Sequence, residues 1–170
     1  MEAPKDEQIV ALLIDMQPGF VERVTVANCE ILIQNQLRII RLCVIRNVPL
    51  IVIEYQGHGE TIPELLTAMQ GVKRIMRVEK WNDNAFSNPE LLKHLQELEA
   101  DTLLLTGINA SYCVLDTAAA AVLHGYKILT ADRLIENGSH QPSDKALDWY
   151  KANGTLFPTM RPILRNLVLR

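Results

Sequence analysis

The chain has 170 residues, and its 17 Lys and Arg against 20 Asp and Glu give a formal net charge of −3. A balance this close to neutral argues against a nucleic-acid-binding protein or a basic membrane-surface protein. The composition, 48% hydrophobic and 22% charged, excludes a disordered chain and fits a single globular domain over residues 1–170.

The first eight residues are polar and the apolar runs are short, so the sequence predicts neither a targeting segment nor a membrane span. The three cysteines, Cys29, Cys43 and Cys113, cannot all pair, and they lack the CxxC spacing of zinc sites. We therefore expect a reduced, cytoplasmic protein. Cys29 and Cys43 are separated by about four helical turns, which predicts that both face the core from one helix.

Short apolar runs alternate with segments of helical periodicity along the chain. Strands are predicted at residues 9–14, 50–53, 74–78, 102–106, 126–130 and 155–157. Helices are predicted at residues 28–46, 63–69, 89–98, 112–124 and 142–152. Pro63 and Pro89 suit first helical turns, and Gly125 is typical of a helix end.

The predicted strands are continuously apolar rather than alternating, which is typical of a parallel sheet covered on both faces. With helices between the strands, the pattern predicts an α/β fold, a doubly wound three-layer α/β/α domain around a mostly parallel, six-stranded sheet. The first and fourth strands should be neighbours at the switch point, where ligands bind beyond the carboxyl ends of the strands. The third strand should lie at an edge of the sheet.

Cys113 is the strongest candidate for a nucleophile. It follows the turn 107–111 and lies at the start of the predicted helix 112–124, where unpaired N–H groups and the helix dipole favour a thiolate. This position predicts a lowered thiol pKa, and the same N–H groups can hold an oxyanion. The alternative is a small buried core residue.

Asp15 and Lys80 each follow an apolar run. Asp15 ends the first predicted strand, where it can face Cys113 across the switch point and exchange a proton with the thiol. Lys80 lies in the loop after the third strand, which has to reach back toward the sheet centre to bring an ammonium near both groups. The alternatives are a strand-end Asp that caps the next turn and a solvated loop lysine.

Three segments, in this order, resemble the motifs of isochorismatase-like cysteine hydrolases, a superfamily that includes nicotinamidases and N-carbamoylsarcosine amidases. The first segment is LIDMQPGF at residues 13–20, and the second is Lys80 followed by Asn84-Ala85-Phe86. The third segment is GINASYCV at residues 107–114, followed by Thr117-Ala118 and Gly125-Tyr126. The resemblance extends over residues 8–135.

The resemblance implies a catalytic triad of Asp15, Lys80 and Cys113 and a cis peptide between Ile108 and Asn109. It implies that the backbone N–H groups of Asn109 and Cys113 form the oxyanion hole. Members with this triad cleave amide-like C–N bonds of small molecules through a thioester, with the acid as proton carrier and the lysine as electrostatic support. Members also commonly form homo-oligomers, so a dimer or tetramer is expected.

The nicotinamidases of this superfamily hold a metal with the spacing D-x-H-x-x-x-H after the second strand. The corresponding stretch here is EYQGHGE at residues 54–60, which offers Glu54 and His58 without that spacing. We therefore expect no metal and no other cofactor, with a metal beside Glu54 and His58 as the open alternative. Nicotinamide becomes a weaker candidate substrate for the same reason.

Phe20, Trp81 and Tyr112 flank the three motifs, which predicts that they form apolar walls of a small-molecule pocket. The alternative for each is ordinary core packing.

Other functions agree less well with these residues. An isochorismatase-type vinyl-ether hydrolase has no need of Cys113, and a catalytically silent binding or assembly module has no need of all three triad residues. A redox role for Cys113 lacks a second cysteine nearby in the sequence to resolve an oxidised thiol. A dinucleotide-binding domain would carry G-x-G-x-x-G after the first strand, where this chain has DMQPG.

Overall fold

A computed structural model describes residues 7–138 and 142–168, with side chains through residue 165. The strands are β1 (Ile9–Ile14), β2 (Leu50–Tyr55), β3 (Ile75–Lys80), β4 (Thr102–Ile108), β5 (Lys127–Ala131), β6 (Ile135–Glu136) and β7 (Thr155–Phe157). The helices are α1 (Pro18–Val21), α2 (Val26–Arg46), α3 (Pro63–Met69), α4 (Pro89–Glu97), α5 (Cys113–Leu123), α6 (Asp144–Asn153) and α7 (Arg161–Val168), and a 3₁₀ turn spans Ala85–Ser87.

The strands form one parallel sheet in the order β3-β2-β1-β4-β5-β7, with β6 paired to the end of β4. This order confirms the predicted α/β fold, with β1 and β4 adjacent at the switch point and β3 at an edge. The sheet has seven strands rather than six. The sequence analysis missed β6 because two residues, Ile135 and Glu136, are too few to show a periodic pattern.

Both faces of the sheet are buried, which explains the continuous apolar runs. Consecutive β1 residues such as Leu12 and Leu13 point to opposite sides of the sheet, toward two separate hydrophobic clusters. Helices α2, α3 and α7 cover one side, and α4, α5 and α6 cover the other. Cys43 is fully buried from α2 and Cys29 is partly buried against the same cluster, as predicted.

Several element boundaries differ from the prediction. Strand β3 continues to Lys80 instead of ending at Val78, and α2 begins two residues earlier, at Val26. The sequence analysis missed α7, although Pro162 in its first turn is a typical start signal. It also missed α1, whose four residues are too few for helical periodicity. In the described part of the chain, no helix is both long and apolar enough to cross a membrane.

Candidate active site

Lys80 and Asp15 form a buried ion pair across the sheet. Lys80 ends β3 beside Tyr55 of β2, and its Nζ lies 4.2 Å from the centre of the Tyr55 ring and 2.8 Å from Asp15 Oδ2. Both charged side chains are fully buried. The prediction of a loop lysine was therefore wrong. Because β3 ends two residues later than predicted, the extended lysine side chain itself spans the distance from the sheet edge.

The ammonium of Lys80 has few other partners. It donates to the backbone oxygen of Asn82 over 3.0 Å, and the Tyr55 ring below it adds a cation–π contact. Burying two charges costs more than a surface pair of the same geometry, and such a pair is weak evidence for a purely stabilising role. A fully buried Lys–Asp pair beside a cysteine is consistent with a chemical role.

Asp15 occupies an unusual backbone position at the switch point. Its φ of 54° lies in the left-handed region, which costs about 1–3 kcal/mol for a residue with a side chain and is concentrated at functional sites. Gly107 of β4, in register with Ile14, allows the two strands to approach here, since a Cβ on Gly107 would collide with the Ile14 carbonyl oxygen.

Burial raises the pKa of the Asp15 carboxyl above its ordinary value, although the charge of Lys80 and contact with the Cys113 thiol lower it. Neither carboxylate oxygen has a conventionally aligned hydrogen bond among the described residues, so the 2.8 Å contact with Lys80 is an ion pair rather than an aligned hydrogen bond. Asp15 is therefore a stronger base than an exposed aspartate, and its lone pairs remain available to accept a proton.

Cys113 is the first residue of α5 and is 3% exposed. Its thiol donates to Asp83 Oδ1 over 3.2 Å and lies close enough to Asp15 for a side-chain interaction. Burial and the negative charge of Asp15 raise the pKa of the thiol, and Lys80 lowers it only in part. The predicted lowering of this pKa is therefore wrong, because the sequence does not reveal two carboxylates and a dry environment beside the sulfur.

This raised pKa leads to a kinetic expectation. Because the resting group is a thiol, iodoacetamide should alkylate Cys113 more slowly than free cysteine at pH 7.5. The rate should keep rising above pH 9, without a plateau at lower pH. Peptide mass spectrometry of the Cys113 peptide over pH 6–10 measures this profile, with the partly exposed Cys29 as an internal reference. A plateau below pH 8 would show a preformed thiolate instead.

The loop before Cys113 carries the two backbone donors that the resemblance assigned to an oxyanion hole. The peptide between Ile108 and Asn109 is cis, as the resemblance implied. In the described ranges, the N–H groups of Asn109 and Cys113 donate to no protein acceptor. Both N–H groups are therefore free to donate to a bound group, and their part in an oxyanion hole stays a prediction.

Neighbouring elements hold this loop in place. The Ala110 N–H donates to the Glu136 carbonyl oxygen over 3.0 Å, and the buried Tyr150 hydroxyl donates to the Ala110 carbonyl oxygen over 2.7 Å. The Asn109 side-chain oxygen accepts from the Gly138 N–H over 2.9 Å. Strand β6 and helix α6 thus fix the loop from two sides.

The predicted pocket aromatics lie in different environments. Phe20 stacks on His58 with ring centres 4.8 Å apart and contacts Tyr55, the residue beneath Lys80. Trp81 is 54% and Tyr112 is 62% exposed. Trp81 and Tyr112 are next to Lys80 and Cys113 in the sequence. Their contact with a substrate stays a prediction.

The stretch after β2 does not present a set of metal ligands. One Glu54 oxygen accepts from the Thr61 N–H and hydroxyl over 2.7 Å each and lies 3.3 Å from Arg77. His58 packs between Phe20 and Tyr55. Within residues 7–138 and 142–168, no group of three or more His, Cys, Asp or Glu side chains is arranged to hold a metal ion.

Sequence analysis missed two residues of the site, Asp83 and Tyr55. Asp83 lies between Lys80 and Asn84 of the second motif, so its place beside recognised residues was the available signal. Tyr55 directly follows Glu54 at the carboxyl end of β2, the sheet edge where ligands of such folds bind.

The family model described as the isochorismatase domain matches residues 10–159, most of the chain. The chain belongs to the isochorismatase family. This assignment confirms the predicted superfamily and the broad class, an isochorismatase-like hydrolase.

Relatives and solved structures agree with this assignment. The chain is 27% identical over 161 residues to isochorismatase domain-containing protein 2 of Danio rerio, covering 94% of this chain and 78% of the relative. MAR1 ribonuclease from Caenorhabditis elegans superposes with a TM-score of 0.84 at 20% identity, covering 99% of this chain and 85% of that one. N-carbamoylsarcosine amidase from Thermoplasma acidophilum superposes with a TM-score of 0.75 at 17% identity, covering 88% and 95%. At these identities the two structures show the shared fold.

Proposed function

We propose that the protein is a cysteine hydrolase that cleaves an amide-like C–N bond of a small molecule through a thioester on Cys113. The observation that supports this most is the meeting of three side chains distant in sequence. The Lys80 ammonium lies 2.8 Å from Asp15, and Asp15 and Cys113 each affect the pKa of the other. Acid, amine and sulfur are thus close together at the carboxyl edge of the sheet, where α/β folds bind ligands.

In the first step, Asp15 accepts the thiol proton as Cys113 attacks the carbonyl carbon of the substrate. The high pKa of the thiol makes a nearby base necessary, and the raised pKa of Asp15 makes that carboxylate a suitable one. The backbone N–H groups of Asn109 and Cys113 hold the oxyanion that forms.

In the second step, the tetrahedral intermediate collapses. Its C–N bond breaks, the protonated Asp15 gives its proton to the leaving amine, and a thioester remains on Cys113. A water molecule then transfers a proton to Asp15 as it attacks the thioester carbon. The C–S bond breaks, the acid leaves, and Asp15 returns the proton to the sulfur, which restores the thiol. Lys80 stays charged throughout and stabilises the ionised form of Asp15.

Cys113 favours this reaction over the vinyl-ether alternative, because vinyl-ether hydrolysis needs no nucleophilic sulfur. The solved N-carbamoylsarcosine amidase of the same fold is named for cleaving a C–N bond, which supports the same choice.

The protein is also proposed to form a homo-oligomer. Leu123 of α5, 88% exposed, and the exposed Val26 and Ile45 of α2 offer apolar contacts for a second subunit.

A substrate panel tests the proposal. The panel contains amides, carbamoyl compounds, nicotinamide and isochorismate, each assayed for ammonia or product acid. Light scattering first measures the mass of the purified protein, which tests the proposed homo-oligomer. We expect turnover of at least one amide or carbamoyl compound, and intact-mass spectrometry of a rapidly quenched reaction should show an acyl adduct on Cys113. Cys113→Ala is the matched control and should lose both signals. Turnover that survives in Cys113→Ala, or hydrolysis of isochorismate alone, would contradict the thioester route.

A further inference from the structure

Asp83 contacts the proposed nucleophile but has no part in the reaction above. Its Oδ1 accepts the Cys113 thiol over 3.2 Å. The Thr117 hydroxyl, on the same helix as Cys113, lies 3.4 Å from the Asp83 carbonyl oxygen and accepts the Ala85 N–H over 3.1 Å. Helix α5 therefore holds the segment that carries Asp83. These contacts position the Asp83 carboxylate beside the sulfur.

The Asp83 carboxylate lacks the counterion that Asp15 has. Among the residues that the structure describes, no Lys, Arg or His lies within 4.0 Å of the Asp83 carboxylate. The Lys80 ammonium is already committed to Asp15 at 2.8 Å and to the Asn82 carbonyl oxygen at 3.0 Å. A thiol is a weak donor, so the half-buried Asp83 carboxylate has a weak hydrogen-bond partner beside the reacting atom.

A second carboxylate adds to the same charge. Asp116 lies one turn after Cys113 on α5, so the two residues share a helix face. Loss of hydration and the negative charge of Asp83 raise the pKa of Asp116, and the charge of Lys80 lowers it. Asp15 and Asp83 thus act on the Cys113 thiol, and the exposed Asp116 adds a third carboxylate on the same helix face.

We infer that the site selects substrates that carry a positively charged group, an ammonium, amidinium or guanidinium, close to the scissile amide, and that Asp83 is the residue that determines this specificity. The inference rests on the proposed hydrolytic function and names its substrate class. A cation within reach of Asp83 forms a charge-assisted hydrogen bond stronger than the one the thiol gives. The thiol proton is then released toward Asp15, the base that the first step requires. A substrate carboxylate in the same place meets like charges instead.

The first test needs no turnover. Methanethiosulfonate reagents with an ethyltrimethylammonium or an ethylsulfonate group both convert a thiol to a mixed disulfide and release methanesulfinate, so they differ in charge but not in chemistry. Peptide mass spectrometry measures the rate at Cys113 for each reagent. The rate with the cationic reagent is divided by the rate with the anionic reagent, which cancels any change in thiolate fraction. Dividing this ratio by the same ratio for free cysteine isolates the charge preference of the site.

We expect the cationic reagent to be favoured at Cys113 by about tenfold or more after this correction, equivalent to ~1.4 kcal/mol. Asp83→Asn should reduce the preference to near one, and Asp116→Asn should reduce it by less. Asp148→Asn removes the same charge from an exposed position on α6, 74% exposed, and should leave the ratio unchanged. Equal ratios in the wild type and Asp83→Asn would overturn the inference. Failure of both reagents to reach Cys113 would also overturn it, since a closed site cannot admit such a substrate.

The second test uses three small primary amides: 3-aminopropanamide, which is cationic, butyramide, which is neutral and matches it in size, and succinamate, which is anionic and slightly larger. We expect kcat/KM to fall in that order, and Asp83→Asn to lose most of the advantage of the cation over butyramide. A reagent preference without turnover of any amide would contradict the proposed hydrolysis and support the charge selection. Faster hydrolysis of succinamate than of 3-aminopropanamide would support the hydrolysis and overturn the charge selection.

Discussion

The Asp15→Asn variant is expected to hydrolyse a verified substrate with kcat/KM lower by a factor of about 10²–10⁴, the usual contribution of a positioned general base. The amide of asparagine matches the carboxylate in shape but cannot accept the thiol proton. The resting thiol has a raised pKa, so little thiolate forms without that base. Steady-state kinetics with circular dichroism and a thermal melt of the same sample measure the effect on folded protein.

The pH profile of the wild type provides a second measurement of the same role. Burial raises the pKa of Asp15 above its ordinary value, and only the ionised carboxylate acts as the base. As pH falls, kcat/KM should therefore decline at a higher pH than an exposed aspartate, with a pKa of about 3.9, would give. In Asp15→Asn this acid limb should disappear. A folded variant that retains most of its activity would exclude Asp15 as the proton carrier.

The Lys80→Met variant is expected to lose about 3–5 kcal/mol of unfolding free energy at pH 7, the usual cost of leaving one partner of a buried ion pair alone. Both side chains are fully buried and 2.8 Å apart. Methionine replaces most of the apolar stem of lysine, so the loss reports mainly the stranded Asp15 carboxylate. Urea unfolding followed by far-ultraviolet circular dichroism measures it.

The loss should depend on pH with a definite sign. Without Lys80, the folded-state pKa of Asp15 rises further above its unfolded value. The variant is then most stable below the unfolded pKa of about 3.9, where Asp15 is protonated in both states, and loses stability as pH rises through the higher folded pKa. The deficit relative to the wild type should therefore grow between pH 4 and pH 7.

The double variant Asp15→Asn with Lys80→Met is the matched control, because it removes both charges at once. It should be less destabilised than the sum of the single variants, with a coupling of about 0.5–3 kcal/mol for residues in contact. A coupling near zero, with Lys80→Met as stable as the wild type at every pH, would show that the pair does not form in solution.

The fold class and the three residues at the centre of the proposed site could be predicted from local sequence. Continuous apolar runs such as Ile9–Ile14 bury both faces of a strand, so local composition alone predicts a parallel sheet with helices between its strands. The motifs around Asp15, Lys80 and Cys113 occur in an order and spacing that pointed to one superfamily, and the match over residues 10–159 confirmed the family. These properties follow from short stretches of chain, where neighbours in sequence are neighbours in space.

The electrostatic state of the site follows from contacts that form only on folding. Lys80 reaches Asp15 from the sheet edge because β3 extends to it, and burial and the charge of Asp15 raise the pKa of the Cys113 thiol. Asp83 lies in the segment after β3. It contacts the sulfur because α5 packs against that segment. A pKa depends on hydration and on charges within a few ångströms, and the charges around Cys113 come from residues 15, 80 and 83, which folding alone brings to it.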